Sequence, residues 1–307
     1  MSCPGEAQEA EKRKTRNREA EKRMNINGEP VYVGRDFGGR TLEISRDLVA
    51  HYLETLEVEH PLYREFAPAL VLHSECFRNL DWYLANLYGN LHARQQWDVF
   101  HPLEIGQRVR TRGFVCDRYR KRNRDYVVKE TWVLDESGRL MNRGLTHQSF
   151  LIETGQGGGQ VVSKEREKDP GRRFEIGGRG GEAFGPLSRR VDERMCRRFS
   201  GPEVNYHTDR EAARALGFPD IVVQGMLPIC LISELLTASF GRGYLAGGKM
   251  DVRLVNVLWA NETIHARGEL REAVPEADRL RCHLDVWAEK DDGTKVVVGT
   301  ASALRPA

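Results

Sequence analysis

The chain has 307 residues, 40% hydrophobic and 30% charged, and its 47 basic and 45 acidic side chains leave a formal net charge of +2. That balance describes one large or two medium-sized globular units with ordinary cores; it excludes a charge-driven nucleic-acid binder and a disordered polyelectrolyte. The six cysteines, at positions 3, 76, 116, 196, 230 and 282, stand singly, without the paired spacing of a metal site or the density of a small secreted scaffold, so reduced thiols in a cytoplasmic protein are expected.

Residues 1–25 form a mixed-charge run with almost nothing apolar to bury, which reads as a disordered, solvated tail and not as a signal peptide or a nucleic-acid arm. No apolar run approaches the roughly 18 residues needed to cross a bilayer, so no membrane span is expected. The first structured unit is expected over 26–152. Ser45 is the candidate cap of a helix carrying Leu48, Val49, Tyr52, Leu53 and Leu56. A second helical segment is expected across 66–87, where Cys76, Phe77, Leu80, Leu84 and Leu87 recur at helical spacing before Gly89. After Gly106, β-branched and aromatic alternation predicts strands at 109–115, 126–134 and 145–152, with a turn at 136–138.

Residues 153–185 are rich in glycine and charge and read as a linker. A phosphate loop would need an apolar strand running into the glycines and a Gly-Lys-Ser/Thr after them, and neither is present. The second unit, 186–307, then repeats the first. Gly106/Asn261, Val109/Ile264, Arg112/Arg267, Gly113/Gly268, Trp132/Trp287, Gly138/Gly293 and Gly144/Gly299 all stand 155 residues apart, so the chain reads as a duplicated α+β unit, each copy a helix followed by an antiparallel meander. In the second copy Met226, Leu227, Ile229, Cys230, Ile232, Leu235 and Leu236 cover most of a helix circumference, so that helix must be enclosed, by strands expected at 250–258, 263–270, 280–288 and 296–303. The first copy's helix, with Arg78, Asn79, Asp81 and Asn86, keeps a polar face suited to border a cavity.

The polar loop Phe199-Ser200-Gly201-Pro202-Glu203-Val204-Asn205-Tyr206-His207-Thr208-Asp209 precedes this buried helix, which opens at Gln224-Gly225-Met226-Leu227. His207 is the candidate acid/base. Its structural alternative is a histidine that merely precedes a capping box of Thr208 and Glu211. Gly225 lets an acyl carbonyl approach free helix N–H groups, or else is only a turn glycine. His73, the repeat counterpart of Gln224, reads as an ordinary packed histidine. Arg197, Arg198, Lys249 and Arg253 are the cations near enough in sequence to the loop or the next strand to meet the phosphates of a ligand. No His-Glu-x-x-His, Cys-x-x-Cys or serine nucleophile elbow occurs, so neither a metal site nor a serine hydrolase site is expected.

Phe-Ser-Gly at 199–201, His207 six residues beyond Gly201, Thr-Asp after it, Gly217-Phe218-Pro219, Gln224-Gly225-Met226-Leu227 and the strand from Met250 together resemble the MaoC-like (R)-specific enoyl-CoA hydratases and 3-hydroxyacyl thioester dehydratases. Their pattern reads Ser-Gly-Asp-x-Asn-Pro-x-His, followed later by His-Gly-Met. The resemblance implies a double hot-dog fold, two tandem units each with an antiparallel sheet wrapped around a central helix. It also implies cofactor-free acid/base chemistry on an acyl-CoA or acyl-carrier-protein thioester, and a homodimer. His207 would act with Glu203 or Asn205, and Gly225 would bind the thioester oxygen with Gln224 and Ser200 beside it. The sequence departs from the pattern at its Asp position, which is Pro202, at its Asn position, Val204, and at its Pro position, Asn205. Two other functions stay open: a catalytically silent acyl-thioester-binding or subunit-partner protein, and a hot-dog thioesterase.

Overall fold

The computed structural model describes residues 25–26, 29–30, 32–78, 91–121, 124–151 and 174–306. A two-residue ladder, β1 (Asn25–Ile26) with β2 (Glu29–Pro30), precedes the first unit. That unit comprises β3 (Asp36–Glu43), α1 (Arg46–Leu56), β4 (Leu91–Val99), β5 (Arg108–Lys121), β6 (Arg124–Asp135) and β7 (Leu140–Leu151). The second comprises β8 (Ala183–Arg190), α2 (Glu193–Ser200), α3 (Arg210–Ala215), α4 (Met226–Phe240), α5 (Arg242–Leu245), β9 (Lys249–Leu254), β10 (Thr263–Glu276), β11 (Arg279–Lys290) and β12 (Lys295–Pro306). Strands β3 to β12 form one antiparallel sheet in the order β3-β5-β6-β7-β4-β9-β12-β11-β10-β8.

That order reads the same outward from its centre because the two copies meet there. Gln96 of β4 pairs with Asp251 of β9, its own counterpart 155 residues on, so a pseudo-twofold axis passes through this pair. The backbone repeats as closely as the sequence: Gly106 (φ 90°) matches Asn261 (φ 69°), and Gly138 (φ 86°) matches Gly293 (φ 82°). These left-handed positions explain why glycine or asparagine recurs at them. The bulge between Val115 and Asp117 also returns between Leu270 and Glu272.

Helix α4 is enclosed as its composition demands. Every residue from Met226 to Thr237 is buried, against strands β8, β10, β11 and β12, and each fully buried Leu or Ile side chain contributes about 1.5–3 kcal/mol. Ser45 caps α1 as expected, accepting the Leu48 N–H at 3.2 Å. The larger of two apolar clusters among the described residues runs through both units, joining Tyr52, Leu70 and Trp97 of the first to Leu227, Leu231 and Val286 of the second.

The segment expected to be one helix across 66–87 is described only to 78, and there it forms a short 3-10 turn, His73–Cys76; the rest, including Asn79, Asp81 and Asn86, lies outside the described residues, as do residues 1–24 of the tail. Most of the expected strands are present and longer, since amphipathic ends such as Arg271 to Glu276 continue the β10–β11 ladder past the apolar run; the strand expected at 250–258 is shorter, ending at Leu254, after which Leu258 accepts the Val223 N–H instead. Thr208 does not form the expected capping box: Asp209 caps α3, accepting the Ala212 N–H at 2.8 Å, while Thr208 bonds back into the loop.

Part of the glycine-rich tract has a defined role. The N–H groups of Gly178, Arg179 and Gly181 converge on the Glu269 carboxylate, two of them at 2.7 and 3.0 Å, and these backbone donors hold its pKa below the usual carboxylate value. The glycines do cradle an anion, an internal one that fastens the segment to β10.

Candidate active site

The loop bearing His207 is tied to the strand-like segment that leads into α4. His207 Nδ1 lies 2.7 Å from the Val222 carbonyl, and Val222 N–H donates to the Tyr206 carbonyl at 3.1 Å. Segment 221–223 is in turn fixed to 258–260 by Val223 N–H to the Leu258 carbonyl (2.9 Å) and Ala260 N–H to the Ile221 carbonyl (3.0 Å). A carbonyl only accepts, so Nδ1 carries the proton and Nε2 keeps its lone pair. Burial disfavours the imidazolium and lowers the His207 pKa to about 4, so at neutral pH the ring is a neutral, oriented base.

Three residues beyond Val222, Gly225 opens α4. No hydrogen bond among the described residues engages the N–H of Gly225 or Met226, as expected for the first turn of a helix. A Cβ on Gly225 would stand 2.3 Å from Leu254 Cδ2 and 3.4 Å from His92 Nδ1. Glycine is therefore what lets the first unit's β4 and the end of β9 close over the mouth of α4. The base and the free N–H groups thus sit on one rigid stretch, the arrangement a developing enolate oxygen requires.

The other sequence candidates are distributed unevenly. Asn205 spends its amide on the loop: Oδ1 accepts the His207 N–H at 2.8 Å and Nδ2 donates to the Glu203 carbonyl at 3.2 Å. Glu203 is exposed, and no side-chain hydrogen bond links it to His207. Ser200 ends α2 with a buried hydroxyl that has no partner among the described residues, and Gln224 accepts the Leu227 N–H through its backbone carbonyl at 2.9 Å. Arg197 is held by the Thr208 carbonyl and Glu193, and Arg198 by Glu54. Lys249 and Arg253 are exposed on β9 while the alternate residues Met250 and Val252 are buried, which puts both cations on the sheet face away from α4. His73 stacks on Phe199 at 4.6 Å with Nδ1 donating to the Leu70 carbonyl, a packed inter-unit histidine.

What the sequence did not single out is the polar inner face of the first unit. Positions that are buried and polar there have buried apolar counterparts in the second: Gln95/Met250, Lys129/Leu284, Thr131/Val286, Thr146/Ala301 and Gln148/Ala303. Lys129 Nζ donates to the Glu75 and Arg78 carbonyls at 3.0 and 2.5 Å, and burial lowers its pKa to about 8. Thr131 Oγ1, Gln148 Oε1 and His92 Nδ1 have no hydrogen-bond partner among the described residues, a costly state, about 1–3 kcal/mol for each buried unsatisfied group. Comparing the copies position by position would have revealed this row from sequence.

Glu234, inside α4, is a second buried polar centre. It accepts from Tyr52 of α1 at 3.0 Å and from Tyr63 of the 3-10 turn Pro61–Arg64, so it joins the units; burial raises its pKa to about 7.

Among the described residues no group of three or more His, Cys, Asp or Glu side chains is placed to hold a metal ion, and no described helix is long and apolar enough to cross a membrane. No family model matches the sequence, and no curated protein matches it. Solved structures do match. A MaoC-like dehydratase superposes with a TM-score of 0.69 at 15% identity, covering 90% of this chain and 98% of its own. A MaoC-like dehydratase from Phytophthora capsici gives 0.65 at 16% identity, covering 88% and 94%. A conserved hypothetical protein from Mycobacterium tuberculosis, described as having a double hot-dog fold, gives 0.58 at 14% identity, covering 90% and 96%. With its palindromic ten-stranded sheet and 155-residue repeat, this chain has the double hot-dog fold that MaoC-like dehydratases adopt.

Proposed function

We propose that the chain is a hydratase/dehydratase of acyl thioesters, working by acid/base chemistry at the mouth of α4. The observation that carries this reading is the clamp between His207 and Val222, which sets a neutral imidazole lone pair on the same rigid segment as the unengaged N–H groups of α4. In hydration, His207 Nε2 takes one proton from water as the water oxygen bonds C3 of the enoyl group. The π electrons move toward the thioester oxygen, where the helix N-terminus offsets the charge. His207 then returns that proton to C2, and dehydration is the reverse. The polar inner face of the first unit supports an acyl chain bearing polar groups, because a purely aliphatic chain would leave Gln148 and Thr131 without partners.

The test is to incubate the protein with trans-2-enoyl-CoA thioesters of short and medium length, following enoyl absorbance and free thiol together. Loss of absorbance without thiol release is expected. Thiol release would make the protein a thioesterase, and saturable binding without either change would make it a silent acyl-thioester binder.

A further inference from the structure

On β4, beside the mouth of α4, one ring nitrogen has no hydrogen-bond partner among the described residues. His92 lies directly opposite Gln148 of β7, and its ring is edge-on to Phe77 at 5.3 Å. Its tautomer follows from a chain of donors. Gln95 Nε2 donates to the Gln96 carbonyl at 3.0 Å, which fixes the amide orientation. Gln95 Oε1 is therefore the acceptor, taking the Thr146 hydroxyl at 2.9 Å and His92 Nε2–H at 3.1 Å. Nδ1 is left as a buried lone pair without a partner among the described residues, and burial lowers the His92 pKa to about 4, keeping the ring neutral. That nitrogen lies 3.4 Å from where a Cβ on Gly225 would stand. Beside it Gln148, only 3% exposed, has an unpartnered side-chain carbonyl. Two buried acceptors thus stand beside a helix mouth with unengaged donors, and the pattern calls for a small group that can donate.

We propose that His92 is a catalytic residue of this site: its Nδ1 accepts a hydrogen bond from the reacting water, and from the 3-hydroxyl that the water becomes, in place of the carboxylate that Pro202 displaces from the motif. The assignment rests on the acyl-thioester reading of His207 and α4. The protons balance. One proton of the water goes to His207 Nε2 and ends on C2; the other never leaves the oxygen and is the hydroxyl proton held by His92. His92 therefore keeps one protonation state throughout and acts by orienting the oxygen's free lone pair at C3. Neither sequence candidate for the missing carboxylate is placed to do this, since Asn205 is committed to its loop and Glu203 is exposed.

The experiment compares kcat and KM for trans-2-enoyl-CoA hydration in the full-length wild type, His92→Asn, His92→Gln and His207→Asn. The Asn oxygen falls at the Nδ1 position and preserves the acceptor. The Gln side chain reaches the Nε2 position, keeps the Gln95 contact and has no acceptor at Nδ1. His92→Gln is expected to lose about 100-fold in kcat with KM within about threefold, and His92→Asn to stay within about tenfold of wild type. A packing role would reverse that order, because Asn is the variant that gives up Gln95, and the reversal would overturn the proposal. So would a fully active His92→Gln beside an inactive His207→Asn, with hydration itself still established. A wild type that hydrates no enoyl thioester would instead overturn the underlying reading, and the assignment with it.

Discussion

Replacing His207 by Ala is expected to lower kcat for enoyl-thioester hydration by about 10²–10⁴-fold, the usual contribution of a positioned general base, while KM changes little. His207→Asn separates chemistry from structure. Its amide nitrogen can donate to the Val222 carbonyl as Nδ1 does now, so the loop keeps its clamp and the base is lost. The Ala variant should melt lower by about 1 kcal/mol of hydrogen-bond stabilisation, the Asn variant should not, and both should be inactive. The pH profile gives an independent reading. Protonation of the ring abolishes the base, and burial has moved that protonation from the ordinary 6.5 down to about 4. The acid limb of kcat/KM should therefore lie near pH 4, with activity flat from pH 7 to 5. An acid limb at 6.5 would mean a solvated imidazole and a different base.

Glu234→Ala should be the most damaging single change to stability. It removes the acceptor shared by Tyr52 and Tyr63 and opens a cavity in a helix buried on all sides, at a cost of about 3–5 kcal/mol. Its carboxyl also makes stability depend on pH. Burial raises the folded-state pKa from 4.5 to about 7, so between those values the folded protein binds the extra proton. The contribution is fully present below about pH 4.5 and is lost as pH rises through about 7, about 3 kcal/mol in all. Glu234→Gln, which cannot titrate, should lack this component: the stability difference between wild type and Glu234→Gln should shift against the wild type by that amount from pH 4.5 to 8 in denaturant titrations. A constant difference would show that the carboxylate is ionised in the folded protein.

The duplication was legible because it lives in residues whose backbone role is strict. Gly106, Asn261, Gly138 and Gly293 mark left-handed turns, and such positions repeat even where side chains diverge. The enclosed helix was legible from its all-round apolar composition. Strand β4 was not, because its inner face carries Gln95 where the second copy has Met250, so alternation of apolar and polar residues fails in it. His92 was hidden for the same reason: its significance comes from Gly225, which folding brings beside it from far along the chain. Glu234 was overlooked within an apolar run because its two partners belong to the other unit. Polar groups buried across the interface between two copies leave no local pattern for a sequence reading to find.

The central claim, that the mouth of α4 moves a proton between water and the carbon next to the thioester through His207, is tested most directly in deuterated water. Incubation of trans-2-enoyl-CoA with the wild type should yield 3-hydroxyacyl-CoA carrying one deuterium on C2. His207→Asn should leave the enoyl thioester unchanged over the same period, as in the protein-free control. Deuterium on C2 at the wild-type rate in His207→Asn would contradict the account, and so would a wild type that forms no 3-hydroxyacyl product.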